Sequence, residues 1–154
     1  MNDSAKVITQ FALCTVVFAV GAFVCAAIIV EWMNIGKNPQ VMVLTATVSG
    51  AGVALASWIF LTSGGKTVKI WKGAVTGILA GSVSHFFVWY LLFLFAYLQG
   101  EDSLTFESLD RIGTLLMFPL LSLVLVGWIT IPVGALIGAA LALAVDSWLK
   151  CKEA

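Results

Sequence analysis

The chain has 154 residues, of which 61% are hydrophobic and 10% are charged, and its formal net charge is zero. Soluble domains are about 45–50% apolar and about 25% charged, so this composition excludes an ordinary water-soluble domain. There is also no basic run of the kind that binds nucleic acid, which argues against a nucleic-acid partner.

Four long stretches without Asp, Glu, Lys or Arg dominate the sequence and predict four membrane helices. The stretches cover residues 7–30, 38–65, 73–100 and 112–145. A bilayer core about 30 Å thick is crossed by about 20 apolar helical residues, and each stretch exceeds that length. We therefore predict an all-α polytopic membrane protein, a single transmembrane domain over residues 1–154 built as a four-helix bundle. The expected helices cover residues 7–31, 40–63, 72–98 and 113–148.

The first stretch is a helix that we expect the mature protein to keep. It is longer than the apolar region of a signal peptide, which covers about 7–15 residues, and no convincing cleavage site follows it. It carries Cys14 and Cys25, while the third cysteine, Cys151, lies near the C-terminus. None of the three stands at metal-ligand spacing, so we predict no metal site and no cofactor. The two helical cysteines are interpreted as small buried apolar side chains.

The lysines outside the uncharged stretches predict an orientation. Four crossings put most basic residues on one side of the membrane: Lys6, Lys66, Lys69, Lys72, Lys150 and Lys152. Lys37 and Arg111 fall on the other side, together with the acidic loop 99–111. The positive-inside rule then places both termini and the lysine-rich second loop in the cytoplasm. Five of these lysines are candidate contacts for a soluble cytoplasmic protein: Lys66, Lys69, Lys72, Lys150 and Lys152.

Small residues recur every four positions in the third and fourth helices. These glycine ladders comprise Gly73, Gly77 and Gly81 in the third helix and Gly134 and Gly138 in the fourth. A four-residue spacing keeps side chains on one helical face, and small side chains there let two helix backbones approach closely in lipid. The pattern is typical both of packing inside one bundle and of a self-association face. Because several such faces occur, we expect a homo-oligomer.

The single histidine, His85, lies well inside the third helix. Ionisable residues at membrane depth are candidates for function. Ser84 adjoins it, and Ser49 and Thr130 fall at similar depth in a four-helix arrangement, so these four residues form a candidate intramembrane polar site. Two interpretations stay open: a hydrogen bond between helices that satisfies the imidazole, or a proton or ion path. One histidine without a nearby carboxylate or thiolate is a poor metal site.

The fourth stretch is long for a single crossing and contains Pro119 and Pro132. Proline removes a backbone hydrogen bond and usually kinks a helix, so we predict a crossing over residues 120–147 with a kink near Pro132. Residues 104–118 are expected either to lie along the interface or to start the helix early. A broken, re-entrant pair of helices is the alternative.

The helices carry no catalytic motif and no paired carboxylates, so we expect that the protein is not an enzyme. The expected function is that of a small non-enzymatic integral membrane subunit, which oligomerises and binds a protein partner on its cytoplasmic side. Immunity, exclusion and phage-defence components have this size and architecture. The alternative is a homo-oligomeric channel or small transporter with a path near His85. Short loops are frequent in bacterial inner-membrane proteins, and we expect that location.

Overall fold

The computed structural model describes residues 3–33, 39–62, 68–98 and 111–151, and in these ranges it is helical throughout apart from residues 68 and 69. The helices are α1 (Asp3–Met33), α2 (Pro39–Thr62), α3 (Ile70–Leu98) and α4 (Arg111–Cys151). Each contains a segment long and apolar enough to cross a membrane. The described residues contain no strand. The prediction of an all-α polytopic membrane protein with four transmembrane helices is therefore confirmed.

The helix ends follow from local chemistry. Pro39 opens α2, where its missing N–H costs nothing because the first amides of a helix have no partner within the helix. At the start of α3, the carbonyl of Lys69 accepts from the amides of Lys72 and Gly73 at 3.0 and 3.4 Å. Lys150 lies in the last turn of α4, where a positive charge interacts favourably with the helix dipole.

The fourth helix is continuous and starts early. Its 41 residues form one α-helix through both Pro119 and Pro132, about 61 Å long at 1.5 Å per residue. The alternative of a broken, re-entrant pair is therefore wrong for residues 111–151, and the candidate membrane span of this helix begins at Leu116. The acidic loop 99–111 lies outside the described residues except for Arg111, where α4 begins.

Helices that follow one another in sequence pack against one another, and α3 with α4 form the most extensive contact. α1 and α4 close the bundle through a much less extensive contact. The buried core is small, and Cys14, Phe18, Trp58 and Val145 belong to it. Large apolar side chains elsewhere face outwards. Phe60, for example, is 84% exposed, as expected where lipid rather than water surrounds the helices.

Candidate functional site

The two glycine ladders pack against each other and hold α3 against α4. A methyl group at Gly77 would overlap the backbone carbonyl of Gly134, and one at Gly73 would overlap the carbonyl of Gly138. At Gly81 a methyl carbon would lie 2.8 Å from the carbonyl oxygen of Thr130. The five ladder glycines therefore serve packing within the bundle. The expected homo-oligomer stays a prediction, and any such contact uses other surfaces.

The ladders also set the register of the two antiparallel helices. Gly73 pairs with Gly138 and Gly77 with Gly134, so each step of four residues up α3 is a step of four residues back along α4. Two further steps from Gly77 reach His85, whose opposite position on α4 is residue 126. The positions one turn on either side of residue 126 are Ser122 and Thr130.

His85 bonds both of these hydroxyl groups. Its Nδ1 lies 2.8 Å from Ser122 Oγ, and its Nε2 lies 3.0 Å from Thr130 Oγ1. The Thr130 hydroxyl in turn donates to the carbonyl of Gly81 at 3.3 Å. The side chain of His85 is buried, with 8% of the residue exposed. One imidazole thus connects two turns of α4 to α3.

The hydrogen bonds select one tautomer of the neutral imidazole. A threonine hydroxyl has a single hydrogen, and Thr130 donates it to Gly81, so Thr130 accepts from Nε2–H of His85. Nδ1 then carries no hydrogen and accepts from the Ser122 hydroxyl. Both ring nitrogens are engaged, which leaves neither of them available to a metal. The described residues also contain no group of three or more His, Cys, Asp or Glu side chains that could hold an ion.

The other two residues of the predicted polar site lie apart from this network. Ser84 lines the same cavity as His85 without bonding to it. Ser49 is buried, and among the described residues its hydroxyl has no hydrogen-bond partner. It lines a separate groove between α2 and α3, with Leu79 and Phe87. The sequence reasoning missed Ser122, which an antiparallel alignment of the two glycine ladders could have found.

A cavity of about 310 Å³ adjoins the network between the four helices. Most of its wall is apolar, and its small side chains explain why space remains: Gly21, Ala22, Ala26, Ala46, Gly50, Ala80, Gly81 and Gly134. Its polar side chains are Ser84, His85, Ser122, Thr130 and the thiol of Cys25, together with Trp89, whose indole N–H is buried and has no hydrogen-bond partner among the described residues. The cavity is suited to an apolar occupant and offers no continuous row of polar groups.

The lysines at the other end of the bundle have different surroundings. Lys72 Nζ donates to the carbonyl of Leu61 at 2.6 Å, in the last turn of α2. Lys150 pairs with Asp146 at 2.6 Å, one turn away on the same helix. Lys69 is exposed. Two further candidate contacts, Lys66 and Lys152, lie outside the described residues.

Comparisons with family models, with curated proteins and with solved structures find no match to this chain. The fold and the four apolar spans define an α-helical integral membrane protein.

Proposed function

We propose that this chain is a small non-enzymatic subunit of a membrane assembly, which binds a protein partner through its lysine-bearing end. Almost all described residues belong to the four apolar helices, so a soluble partner has only the ends of the bundle to contact. The end formed by the α2–α3 connection and the end of α4 carries Lys69, Lys72 and Lys150. By the positive-inside rule this end faces the cytoplasm.

One observation carries this proposal: the end of the α2–α3 connection is held in place by the core. Val68 is 5% exposed and belongs to the same buried cluster as Trp58 and Val145. Lys72 ties the start of α3 to the end of α2 through the carbonyl of Leu61. The neighbouring Lys69 is consequently presented from a fixed backbone, and a surface held in its bound conformation loses less entropy when a partner docks.

The contacts of each lysine indicate which of them is suited to a charge-reversal test. Lys72 has a structural role in the Leu61 contact, and Lys150 is already paired with Asp146. Lys69 is the described lysine whose charge is best placed for a partner, and Lys66 precedes it in the same connection. Reversing these two charges with K66E and K69E changes the charge of the connection and leaves the Lys72 contact in place.

The test is native mass spectrometry of the protein purified gently from its own host membrane. A bound soluble partner is expected with the unaltered chain and is expected to be lost with K66E/K69E. The matched control reverses two charges at the opposite end, with K37E and R111E, and is expected to retain the partner. The proposal fails if no soluble protein accompanies the unaltered chain, or if both charge reversals have the same effect.

The channel alternative has less support from the described residues. A proton path through His85 needs a continuous row of hydrogen-bonding groups, and the network that starts at Ser122 ends at the backbone carbonyl of Gly81, which cannot donate. The cavity beside it has a mostly apolar wall, which is a poor route for an ion because charges are costly to place in apolar surroundings.

A further inference from the structure

The cavity beside His85 plays no part in the proposed contact with a soluble protein. Its volume of about 310 Å³ falls at the lower end of the range for small-molecule sites, about 300–1,000 Å³. Apolar cavities of about half this volume stay free of water and take up apolar molecules. The surrounding medium of these helices is lipid, so the available apolar molecules are those of the bilayer.

The shape of the cavity selects among such molecules. Its wall on α1 runs from Phe18 to Val30, about 18 Å along the helix axis at 1.5 Å per residue. On α4 it runs from Phe118 to Ile137, about 28 Å by the same measure. A volume of about 310 Å³ distributed over such a length is a narrow slot. A hydrocarbon chain, which is long and thin, fits such a slot.

The polar groups of the wall agree with an occupant of this kind. Both nitrogens of His85 and the hydroxyl of Thr130 are engaged within the protein. Ser84 contributes a further hydroxyl to the wall. An occupant that is hydrocarbon beside His85 therefore leaves every bonded polar group of the network with its partner, while the buried indole N–H of Trp89, also on the wall, stays without one.

Lateral access to the cavity is easiest between α1 and α4, because these two make the least extensive contact of any neighbouring helices. The two helices meet at Gly21, where an added methyl carbon would lie 2.8 Å from Ile137 Cδ1. From this point the cavity wall continues along both helices towards the end of the bundle where α1 ends and α2 begins, past Cys25 and Val126. The slot therefore points to the leaflet at that end.

We propose that the cavity binds one hydrocarbon chain of a membrane lipid from this leaflet, with the headgroup remaining at the membrane surface where α1 ends. The hydrocarbon chain lies between the four helices and fills the space that the small side chains of the wall leave open. The site is independent of the lysine-bearing end, and its test is independent of any soluble partner.

The first experiment uses the unaltered protein in bilayers that contain phosphatidylcholine with a diazirine at the middle of one acyl chain. After irradiation, peptide mass spectrometry locates the labelled residues. We expect labels on cavity-wall residues such as Cys25, Ser84 and Val126, in addition to those on outward-facing residues such as Phe60 and Leu136. The cavity labels are expected to persist after brief washing into detergent that removes free lipid. Labels confined to outward-facing residues overturn the proposal.

A second experiment fills the slot. The variant A46F places a ring in the cavity wall, and the control A140F makes the same change at an exposed position of α4. We expect A46F to lose the cavity labels and to keep the outward-facing ones, and A140F to keep both. Circular dichroism and thermal unfolding establish that each variant is folded. Unchanged cavity labelling in folded A46F contradicts the proposal. If A46F does not fold, the labelling pattern of the unaltered protein decides.

Discussion

Gly77 of α3 lies directly against the backbone carbonyl of Gly134 in α4, without space for a methyl group between them. Such contacts make α3 and α4 the most closely packed pair in the bundle. Lipid gives helices no hydrophobic reason to associate, so close backbone packing has to supply much of the attraction. The same contact sets the register that places His85 between Ser122 and Thr130.

Substituting Gly77 by alanine is expected to destabilise the bundle. The added methyl group meets backbone atoms, which cannot rotate away as a side chain can. Overpacking of this kind costs about 1–3 kcal/mol or more. The measurement is the free energy of unfolding in mixed micelles, followed by circular dichroism.

Gly52 provides the matched control for that experiment. It is exposed on α2, and nothing among the described residues lies within 4 Å of the position that a methyl group would take. Gly52→Ala should stabilise the helix, since alanine is favoured over glycine by about 0.8–1.0 kcal/mol in a helix interior. Equal unfolding free energies for the two variants would show that the ladders do not make the close contact described.

The bond between His85 and Ser122 is expected to appear as a coupling free energy. Double-mutant cycles of buried hydrogen bonds in a membrane protein average about 0.6 kcal/mol and reach about 1.7 kcal/mol. A cycle built from H85A, S122A and the double variant should give a value in this range. The control is S82A, because Ser82 bonds the Ile78 carbonyl of its own helix, and it should show no coupling with H85A. Equal couplings in the two cycles would exclude the contact between helices.

The number of helices and their approximate ends could be predicted from the sequence, because bilayer thickness sets a minimum length for each crossing. The sequence also predicts a single fourth helix over residues 113–148, but its two prolines leave a broken pair open as the alternative. Proline usually breaks a helix in water, whereas in lipid the cost of exposed backbone keeps a helix intact around Pro119 and Pro132. The helix is therefore continuous where the sequence allowed a break.

Similar depth in the membrane does not predict that two residues face the same site. Ser49 and Gly50 are neighbours at similar depth, yet consecutive helical residues point about 100° apart. Gly50 therefore lines the cavity beside His85, while Ser49 lines the groove on the other side. Ser122 was accessible to sequence reasoning only through the antiparallel pairing of the ladders. The cavity could not be predicted from the sequence, because it depends on how the four helices pack around their small side chains.

Lys72 is expected to contribute to the stability of the folded protein as well as to its charge. Its ammonium group donates to the Leu61 carbonyl in the last turn of α2, where carbonyls lack partners within the helix. Cations at helix C-termini contribute about 0.3–1 kcal/mol, so Lys72→Met should lower the unfolding free energy by about that amount. Lys69→Met, at an exposed neighbour, should leave it unchanged. A stability loss with Lys69→Met equal to that with Lys72→Met would contradict the assignment.

Replacing Ser49 by alanine is expected to stabilise the folded protein. It is 5% exposed, and its hydroxyl has no hydrogen-bond partner among the described residues. A buried polar group without a partner costs about 1–3 kcal/mol, so Ser49→Ala should raise the unfolding free energy. The comparison is Thr76→Val, which removes a fully buried hydroxyl that is bonded to the Lys72 carbonyl at 3.0 Å. Losing that bond should lower stability by about 0.5–1.5 kcal/mol. Unfolding in mixed micelles measures both changes, and we expect them to have opposite signs. A loss of stability with both substitutions would mean that Ser49 has a partner in the folded protein.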